Sequence, residues 1–351
     1  MQLEVLDLQA RTELETLVLE RGFRADASTK SSAATRKRPE THSKRTAFEH
    51  DRDRILYTDC FQKLPHRTQV FLLPRYPLLS NRMTHTIYVW QVARSIASYL
   101  RLNVALTEAI ALGHDVGHVP FGHSGEPVLT ELMCGLLNDS SYQFHHTTHA
   151  LRVLNTLERE GKGVNLTTQV EDGILRHSKG PHKISHGGKA LTLEGQAAMY
   201  ADKIAYTFKD ILDALQVGVV SESQLPSELW SFGKTWYRWI GTAIHEVVNC
   251  SLAAINDSEQ PDEIVWHGEM CERFEYVKDW MYRNVYGEGD MKREFDKAEW
   301  LIRQVFDKVL AEDQGPDDES AAYRTLDRVA GMTDPEMMLY FNQNLVPTGR
   351  Y

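Results

Sequence analysis

The chain has 351 residues, of which 42% are hydrophobic and 25% are charged, and its formal net charge is −10. This composition provides enough apolar material for a sizeable core and fits one large domain or two. The acidic balance argues against a general nucleic-acid coat protein, whose affinity comes from an excess of Lys and Arg. It leaves room for an anionic small-molecule ligand, because a local cationic pocket can override the global charge.

Cysteine usage and hydropathy bear on the cellular compartment. The four cysteines are scattered and form no CxxC pair, which favours reduced thiols over a zinc knuckle or a disulfide framework. No run of about 18 apolar residues is present, so we expect no membrane span. The acidic N-terminus lacks the basic and apolar regions of a signal peptide. We therefore expect a cytoplasmic protein.

In chain order, residues 1–23 are predicted to form an amphipathic N-terminal helix. Residues 24–45 are rich in Ser, Thr, Lys and Arg and are predicted to form a flexible basic arm. This arm is either a solvated linker or a contact for phosphates or for a neighbouring subunit.

From Phe48 onward, apolar residues recur at helical spacing almost throughout. Residues 69–73 alone suggest a strand, which allows one short β-hairpin near residues 68–74. No βαβ alternation and no GxxxxGK[ST] motif is present, so a phosphate-cradling P-loop is excluded. We predict an all-α fold, with a catalytic core over residues 46–220 and a C-terminal helical region, 221–351, packing on it. The clearest helical stretches are residues 87–97, 151–157, 194–215, 228–255, 272–285, 291–310 and 322–329.

The most informative segment runs from His114 to Glu126 and holds three imidazoles and two carboxylates. Within it, the doublet of His114 and Asp115 offers one nitrogen and one oxygen ligand, which together suit a single divalent metal ion. The segment follows the apolar helical pattern of residues 104–112 and then turns through two glycines and a proline. We therefore expect its polar groups to leave a buried helix and line a cleft.

A mononuclear hydrolytic site needs about three or four protein ligands and open positions for water or substrate. His85 falls in the first turn of a predicted helix, and Asp202 falls in an apolar helical stretch. A carboxylate in such surroundings is costly to bury unless it is paired or bound to a metal. The alternatives are a capping or core histidine at position 85 and a salt bridge from Asp202 to Lys203 or Arg176. The predicted metal ligands are His85, His114, Asp115 and Asp202.

Taken in order, the motifs of this chain resemble those of the HD-domain phosphohydrolases, and more closely those of the deoxyguanosinetriphosphate triphosphohydrolase-like proteins. The resemblance covers about residues 35–340. It rests on the blocks Arg52–Ile55, Phe61–Leu64, Thr68–Phe71, Arg82–His85, His114–Glu126, Ile174–Ser178, Thr192–Gln196, Ala201–Tyr206 and Ala330–Asp334.

The resemblance implies a reaction and its partners. Water would attack the α-phosphorus of a deoxynucleoside triphosphate (dNTP), giving the deoxynucleoside and inorganic triphosphate. One divalent metal ion is implied, and Mn²⁺, Mg²⁺, Fe, Ni and Zn all remain open. The resemblance also implies a homo-oligomer, tetramer or hexamer, a dNTP effector, and binding of single-stranded nucleic acid.

Candidate catalytic residues follow the metal doublet. His123 and Glu126 are three residues apart, and an imidazole held by a nearby carboxylate in one tautomer suits proton transfer. The resemblance assigns His118 to the phosphate region and His146 to protonation of the 5′-oxygen. Around His146 the chain departs from the family's pattern, with His145, Thr147 and His149 in place of Glu, Asn and Gln. The alternative for residues 145–149 is therefore a drifted surface turn.

Candidate substrate-binding residues lie beside these positions. Arg82 and Lys203 adjoin predicted ligands and would contact the phosphates, although a solvated helix face is the alternative for Lys203. Tyr206 and Asp210 lie four and eight residues after Asp202, on the same helix face. The resemblance implies that the tyrosine packs on the deoxyribose, that the aspartate accepts the 3′-hydroxyl, and that Gln69 contacts the sugar or base. A core tyrosine and a surface aspartate are the alternatives for Tyr206 and Asp210.

Two rival functions stay open from the sequence. One is a different HD phosphohydrolase, such as a 5′-nucleotidase or a cyclic-nucleotide phosphodiesterase, which product analysis would distinguish. The other is a nucleotide sensor or single-stranded nucleic-acid-binding module, which the basic residues 36–45 motivate. Steep salt dependence of binding without turnover would favour that module.

Overall fold

A computed structural model describes residue 9 and residues 29–40, 44–72, 78–178, 188–256, 262–286, 289–316 and 319–347. Within these ranges, the side chains of His123, Asn256, Gly289 and Asp290 are outside the description. The predicted N-terminal helix over residues 1–23 lies outside the described residues, apart from residue 9. The part of the chain that is described has no helix long and apolar enough to cross a membrane.

Helices succeed one another along the described residues. They are α1 (Ala47–Leu56), α2 (Asp59–Gln62), α3 (Arg82–Leu100), α4 (Val104–Gly113), α5 (Gly125–Leu137), α6 (His146–Arg152), α7 (Thr168–Arg176), α8 (Leu193–Val217), α9 (Trp236–Asn256), α10 (Glu269–Met281), α11 (Gly289–Glu312), α12 (Glu319–Ala330) and α13 (Asp334–Asn344). The prediction of an all-α fold is confirmed, since the described ranges contain isolated β-bridges and no strand.

The β-hairpin allowed near residues 68–74 is wrong for the described part of that segment. Residues 69–72 form bends, and Thr68 makes only an isolated bridge with Asn81. The backbone N–H of Thr68 donates instead to Asp334 Oδ2, at 2.9 Å. A buried side chain thus takes the hydrogen bond that a strand partner would need.

Side-chain caps explain where several helices begin. Thr46 caps α1 and forms a reciprocal capping box with Glu49. Asn81 does the same for α3 with Thr84, so that α3 begins at Arg82. Each box satisfies N–H groups that the first helical turn leaves without partners.

The helices enclose three hydrophobic clusters. The first packs α3 and α8 against α9 and α10; the second unites α1, α4, α6 and α7; and the third unites α5, α11, α12 and α13. The end of α4 and the segment that follows it contribute to all three, through Ala111, Val116 and Val119 respectively. The His-Asp doublet therefore lies where the three clusters meet, and close packing on every side restrains its backbone.

Part of the predicted basic arm is held against the core. Arg36 Nη1 lies 2.5 Å from the fully buried carboxylate of Asp51, and its Nη2 donates to the Ala47 carbonyl. Arg38 donates to the carbonyls of Lys162 and Gly163. Over residues 29–40, two of the arm's arginines therefore have internal partners.

Candidate metal centre and active site

His85 and His114 direct their Nε2 atoms at each other across the helix pair α3 and α4. The two nitrogens are 3.3 Å apart, and both side chains are buried. The Nδ1 atom of His114 lies 2.7 Å from the Ala111 carbonyl. A carbonyl only accepts, so Nδ1 must carry the proton and Nε2 must present its lone pair. This is the tautomer that can bind a metal ion through Nε2.

Two carboxylates complete the group. Asp202 Oδ1, from α8, lies 3.0 Å from His85 Nε2 and 3.8 Å from His114 Nε2. Asp115 Oδ1 lies 3.3 Å from His114 Nε2, and its Oδ2 lies 3.6 Å from His85 Nε2. The four residues predicted as metal ligands are thus brought together from two helices, α3 and α8, and from the turn after α4.

Two of the alternatives, a capping role for His85 and a salt bridge from Asp202 to Arg176, do not describe these surroundings. His85 is the fourth residue of α3 and does not cap it, since Asn81 does. The predicted salt-bridge partner Arg176 instead pairs with Asp172, at 2.5 Å. Asp202 lies instead beside the imidazoles of His85 and His114.

Electrostatics in this cluster favour a positive charge. Burial lowers the pKa of His114, but the carboxylates of Asp115 and Asp202 outweigh it and raise this pKa to about 9. Burial raises the pKa of Asp115, but His114, Arg82 and His118 hold it well below its usual range. The lone pair that attracts a proton so strongly also attracts a metal ion, and the two compete for it.

The donor set fits one divalent cation. Two imidazole nitrogens and two carboxylates held close together, with Asp202 partly exposed and the other three side chains buried, are a usual mixed ligand set for transition metals and leave positions for water or substrate. His85, His114 and Asp202 each offer a ligand atom within 4.8 Å of the others.

Arg82 is a buried cation that contacts Asp115, the second residue of the His-Asp doublet. Its Nη1 donates to Asp115 Oδ2 at 2.9 Å, and only 1% of the residue is exposed. Its Nε and Nη2 atoms have no hydrogen-bond partner among the described residues. Burying such donors without partners costs free energy, so Arg82 has hydrogen-bonding capacity for an anionic ligand.

A second imidazole group adjoins the first. His118 Nε2 lies 3.2 Å from Asp115 Oδ1, and its ring stacks on His146 with centroids 3.9 Å apart at 14°. His146 Nδ1 lies 2.8 Å from Glu126 Oε1, and its Nε2 lies 3.4 Å from His177 Nε2. The same Glu126 oxygen lies 3.8 Å from His118 Nδ1, so the carboxylate of Glu126 orients His146 and faces both stacked rings.

This arrangement bears on two predictions. Residues 145–149 were considered as a drifted surface turn, but His146 and His149 are buried, so that alternative is wrong for them. Glu126 was expected to assist His123, and its described partner is His146. The side chain of His123 lies outside the described part, so its predicted catalytic role and its pairing with Glu126 stay predictions.

At Gly117, two residues after the His-Asp doublet, the backbone packs closely against α6. A Cβ atom there would lie 2.1 Å from the His146 carbonyl oxygen and 2.3 Å from the Ala150 nitrogen. Only glycine permits this approach. His149 Nδ1–H also donates to the Gly117 carbonyl, at 2.8 Å. The imidazole of His146 reaches Glu126 because of this contact.

The predicted substrate-binding residues differ in their burial and in their contacts. Gln69 is buried, and its Oε1 atom has no hydrogen-bond partner among the described residues. Tyr206 and Asp210 follow Asp202 by one and two turns of α8. Asp210 is 2% exposed, so the alternative of a surface aspartate is wrong. Lys203 is partly exposed, with Nζ 5.7 Å from the centroid of the Tyr200 ring, and its contact with phosphate stays a prediction.

Two residues of this region were not predicted. His177 ends α7 as His114 ends α4, with Nδ1 2.7 Å from the carbonyl three residues earlier, and it is buried beside His146. A histidine directly after an amphipathic helix was the available signal. Tyr286 donates its hydroxyl to Asp210 Oδ2 at 2.7 Å from a π-helical turn, Tyr282–Tyr286. No sequence pattern indicated that turn.

Comparison with known proteins identifies an HD domain in this chain. A family model described as the HD domain matches residues 82–207, which include all four clustered ligands. Among solved structures, a hypothetical protein from Aquifex aeolicus matches with a TM-score of 0.45 and 16% identity, covering 84% of this chain and 71% of that chain, a likeness too weak to add to the assignment.

Curated relatives define the family more closely. Deoxyguanosinetriphosphate triphosphohydrolase-like proteins of Caldanaerobacter subterraneus subsp. tengcongensis and Desulfatibacillum aliphaticivorans are 39% and 42% identical, over 87% and 78% of this chain and 86% and 77% of the relatives. That of Clostridium tetani is 37% identical over 86% of both chains. The chain belongs to the deoxyguanosinetriphosphate triphosphohydrolase-like family of HD-domain proteins. Family membership and the clustered His and Asp side chains support a metal-dependent phosphohydrolase.

Proposed function

We propose that the protein hydrolyses deoxynucleoside triphosphates, dGTP or a related dNTP, to the deoxynucleoside and inorganic triphosphate. The observation that supports this most directly is the convergence of His85, His114, Asp115 and Asp202 beside a buried arginine with unpartnered donors. The names of the relatives add the substrate class, since they are called deoxyguanosinetriphosphate triphosphohydrolase-like.

These four side chains would hold the one divalent ion. When bound, the ion would supply Lewis-acid polarisation of a phosphate oxygen and lower the pKa of water. The chain itself orients the ligands, since the Ala111 carbonyl fixes the tautomer of His114 and Arg82 fixes one oxygen of Asp115. Mn²⁺, Mg²⁺, Fe, Ni and Zn remain candidates for this ion.

Arg82 and His118 are the proposed phosphate contacts. The Nε and Nη2 donors of Arg82 are buried and unpartnered, so a phosphate oxygen would satisfy them with charge-assisted hydrogen bonds. Burial, together with the nearby Arg82 and His146, lowers the pKa of His118 well below its usual range. A neutral His118 can still donate one hydrogen bond to an anion. Lys203 would add charge from the open side.

His146 is the proposed proton donor to the 5′-oxygen as the bond to the α-phosphorus breaks. Its Nδ1 is held by Glu126, 2.8 Å away, so Nε2, which lies 3.4 Å from His177 Nε2, is the atom that would exchange a proton. A carboxylate on the far ring nitrogen stabilises the imidazolium form and fixes the ring. His123 would assist the attack of water.

The sugar would lie against Tyr206, Asp210 and Gln69. Burial raises the pKa of Asp210 to about 7, and its Oδ2 accepts a hydrogen bond from Tyr286. A second hydroxyl, the 3′-hydroxyl of a deoxyribose, is the partner that such a carboxyl group can accommodate. A tyrosine ring packed against C2′ would leave no room for a ribose hydroxyl, which favours dNTPs over NTPs.

The effector, the oligomeric state, the cellular location and nucleic-acid binding are also part of the proposal. A dNTP effector and a tetramer or hexamer follow from the family resemblance alone, and a cytoplasmic location follows from the cysteine usage and hydropathy of the sequence. Single-stranded nucleic acid was motivated by the basic residues 36–45, of which Arg36 and Arg45 pair with Asp51 and Asp53. Those internal pairs weaken the case for an arm that binds nucleic acid.

Product analysis tests the proposal. The protein would be incubated with each of the four dNTPs and the four NTPs, with Mn²⁺ or Mg²⁺, and the products separated by anion exchange. Deoxynucleoside and tripolyphosphate in equal amounts, with NTPs spared, is the expected result. Orthophosphate from dNMP would indicate a 5′-nucleotidase instead. Loss of turnover in Asp202→Ala, with no loss in a variant at the exposed Glu160, would tie the activity to this site.

A further inference from the structure

The block Ala330–Asp334, which carries part of the family resemblance, reaches the active site from outside the matched HD domain. Asp334 is the first residue of α13 and is 3% exposed. Its Oδ2 accepts the backbone N–H of Thr68 at 2.9 Å and the Thr68 hydroxyl at 2.5 Å. Its Oδ1 accepts the backbone N–H of Phe121, also at 2.9 Å. One buried carboxylate therefore joins two segments that are more than fifty residues apart in the chain.

Both segments carry predicted site residues. Thr68 directly precedes Gln69, and Phe121 lies two residues before His123 in the turn that leads into α5. The two segments also touch directly at Gly122, where a Cβ atom would lie 3.3 Å from the Thr68 carbonyl oxygen. The distance between the sugar-binding and catalytic segments is thus set by Asp334 and by this close backbone contact.

Phe121 needs such a restraint. Its φ of 59° lies in the left-handed region, and Gly122 follows with a φ of 64°. A bulky residue adopts that conformation only where the surrounding structure compensates for its cost. The N–H of Phe121 has its described hydrogen bond to Asp334, which fixes the strained turn where it begins.

Arg67 makes a parallel connection. It is 3% exposed, and its guanidinium donates to the carbonyls of Val116 and His118 and to that of Ala330 at the end of α12. The backbone between Asp115 and His118 is therefore tied to the same C-terminal block. Arg67 and Asp334 hold two successive parts of one turn, on either side of Val119.

We propose that Asp334 is a positioning residue, which fixes the segment of Gln69 against the turn of Phe121 and thereby makes the C-terminal block part of the active site. It touches none of the four proposed metal ligands in the described contacts, and it acts through Thr68 and Phe121. The expected effect on kcat rests on the proposed function. The structural link between the two segments can be tested without any activity.

Asp334→Asn is the decisive substitution, and Glu158→Gln is its matched control. Asparagine has the same shape, but its amide nitrogen cannot accept a hydrogen bond, so one of the two segments is released. Glu158 is also a buried carboxylate that accepts two backbone N–H groups, those of Asp59 and Cys60, away from the site. The two variants therefore lose similar interactions in different places.

We expect Asp334→Asn to lower kcat by about 10- to 100-fold, since small displacements of reacting groups have effects of this size. Its bound Mn²⁺ should stay stoichiometric. Glu158→Gln should stay within about twofold of the unsubstituted protein when both are assayed well below their Tm. Asp334→Glu, which keeps two acceptor oxygens, should recover activity relative to Asp334→Asn even if it is less stable. A kcat that follows Tm across all three variants would overturn the inference.

Amide hydrogen exchange gives the second readout. In Asp334→Asn, peptides covering residues 67–72 and 119–124 should both exchange faster, whereas Glu158→Gln should affect the peptide covering residues 58–62. Faster exchange in neither of the first two peptides would overturn the inference. If the unsubstituted protein releases no tripolyphosphate from any dNTP, the proposed function fails, and coupled exchange in these two peptides still decides whether Asp334 links them.

Discussion

Replacing Glu126 by glutamine tests the proton-transfer group directly. Glu126 Oε1 lies 2.8 Å from His146 Nδ1, a distance typical of a charge-assisted hydrogen bond. Glutamine keeps an oxygen that can accept from Nδ1–H, so the ring stays near its place, but the negative charge that stabilises the imidazolium is lost. The substitution thus separates charge from geometry.

The size of the effect follows from the role of His146. General acid–base groups contribute about 10²- to 10⁴-fold to rates, and losing only the charge of the positioning carboxylate should remove the lower part of that range. We expect kcat to fall by about 100-fold, or about 3 kcal/mol of transition-state stabilisation. Bound Mn²⁺ should be unchanged, because Glu126 is not among the four proposed ligands.

The assay measures deoxynucleoside and tripolyphosphate at saturating dNTP, with metal content measured on the same samples. Glu131→Gln is the control on the same helix, since Glu131 is 69% exposed at its side chain and pairs with Arg303 on the surface. The control should keep full activity. Turnover of Glu126→Gln within threefold of the unsubstituted protein would refute the role given to this pair.

Three further outcomes are expected. His114→Ala should lose both bound metal and turnover, as measured by elemental analysis and product release, and near-normal activity would mean that the metal site is misplaced. Arg82→Met leaves Asp115 without its buried partner, so urea denaturation of the metal-free protein should show a free energy of unfolding lower by about 3 kcal/mol, with part of the loss recovered on adding Mn²⁺; an unchanged value would contradict the pairing. Burial raises the pKa of Asp210 to about 7 in the folded protein, so the folded state binds the proton more tightly than the unfolded chain and stability should fall as pH rises from about 4 to about 7. Asp210→Asn should flatten that dependence in urea titrations at pH 5 and pH 8, and an equally steep fall in this variant would assign the effect to another group.

Local sequence patterns were enough to predict which four side chains come together. His114 and Asp115 are adjacent, so their common location needs no tertiary information. Asp202 was identifiable because a carboxylate in an apolar helix needs a partner. His85 was identifiable because a histidine in the first turn of a helix, after a polar loop, can point into a cleft. The structure brings these four residues together as the sequence predicted.

Contacts that depend on helix packing were not predictable in the same way. Glu126 was matched with its near neighbour His123, but its described partner is His146, which reaches it because α6 packs onto Gly117. Tyr286 reaches Asp210 from a π-helical turn, where the helical periodicity changes. The suggested strand failed because Asp334, distant in the chain, takes the N–H of Thr68.

Isotope transfer from water is the most direct test of the account. Turnover of a dNTP in H₂¹⁸O, with Mn²⁺ present, should place one ¹⁸O atom in the released tripolyphosphate and none in the deoxynucleoside, because water attacks the α-phosphorus and the 5′-oxygen leaves with the sugar. Label in the deoxynucleoside, or release of orthophosphate or pyrophosphate in place of tripolyphosphate, would contradict it.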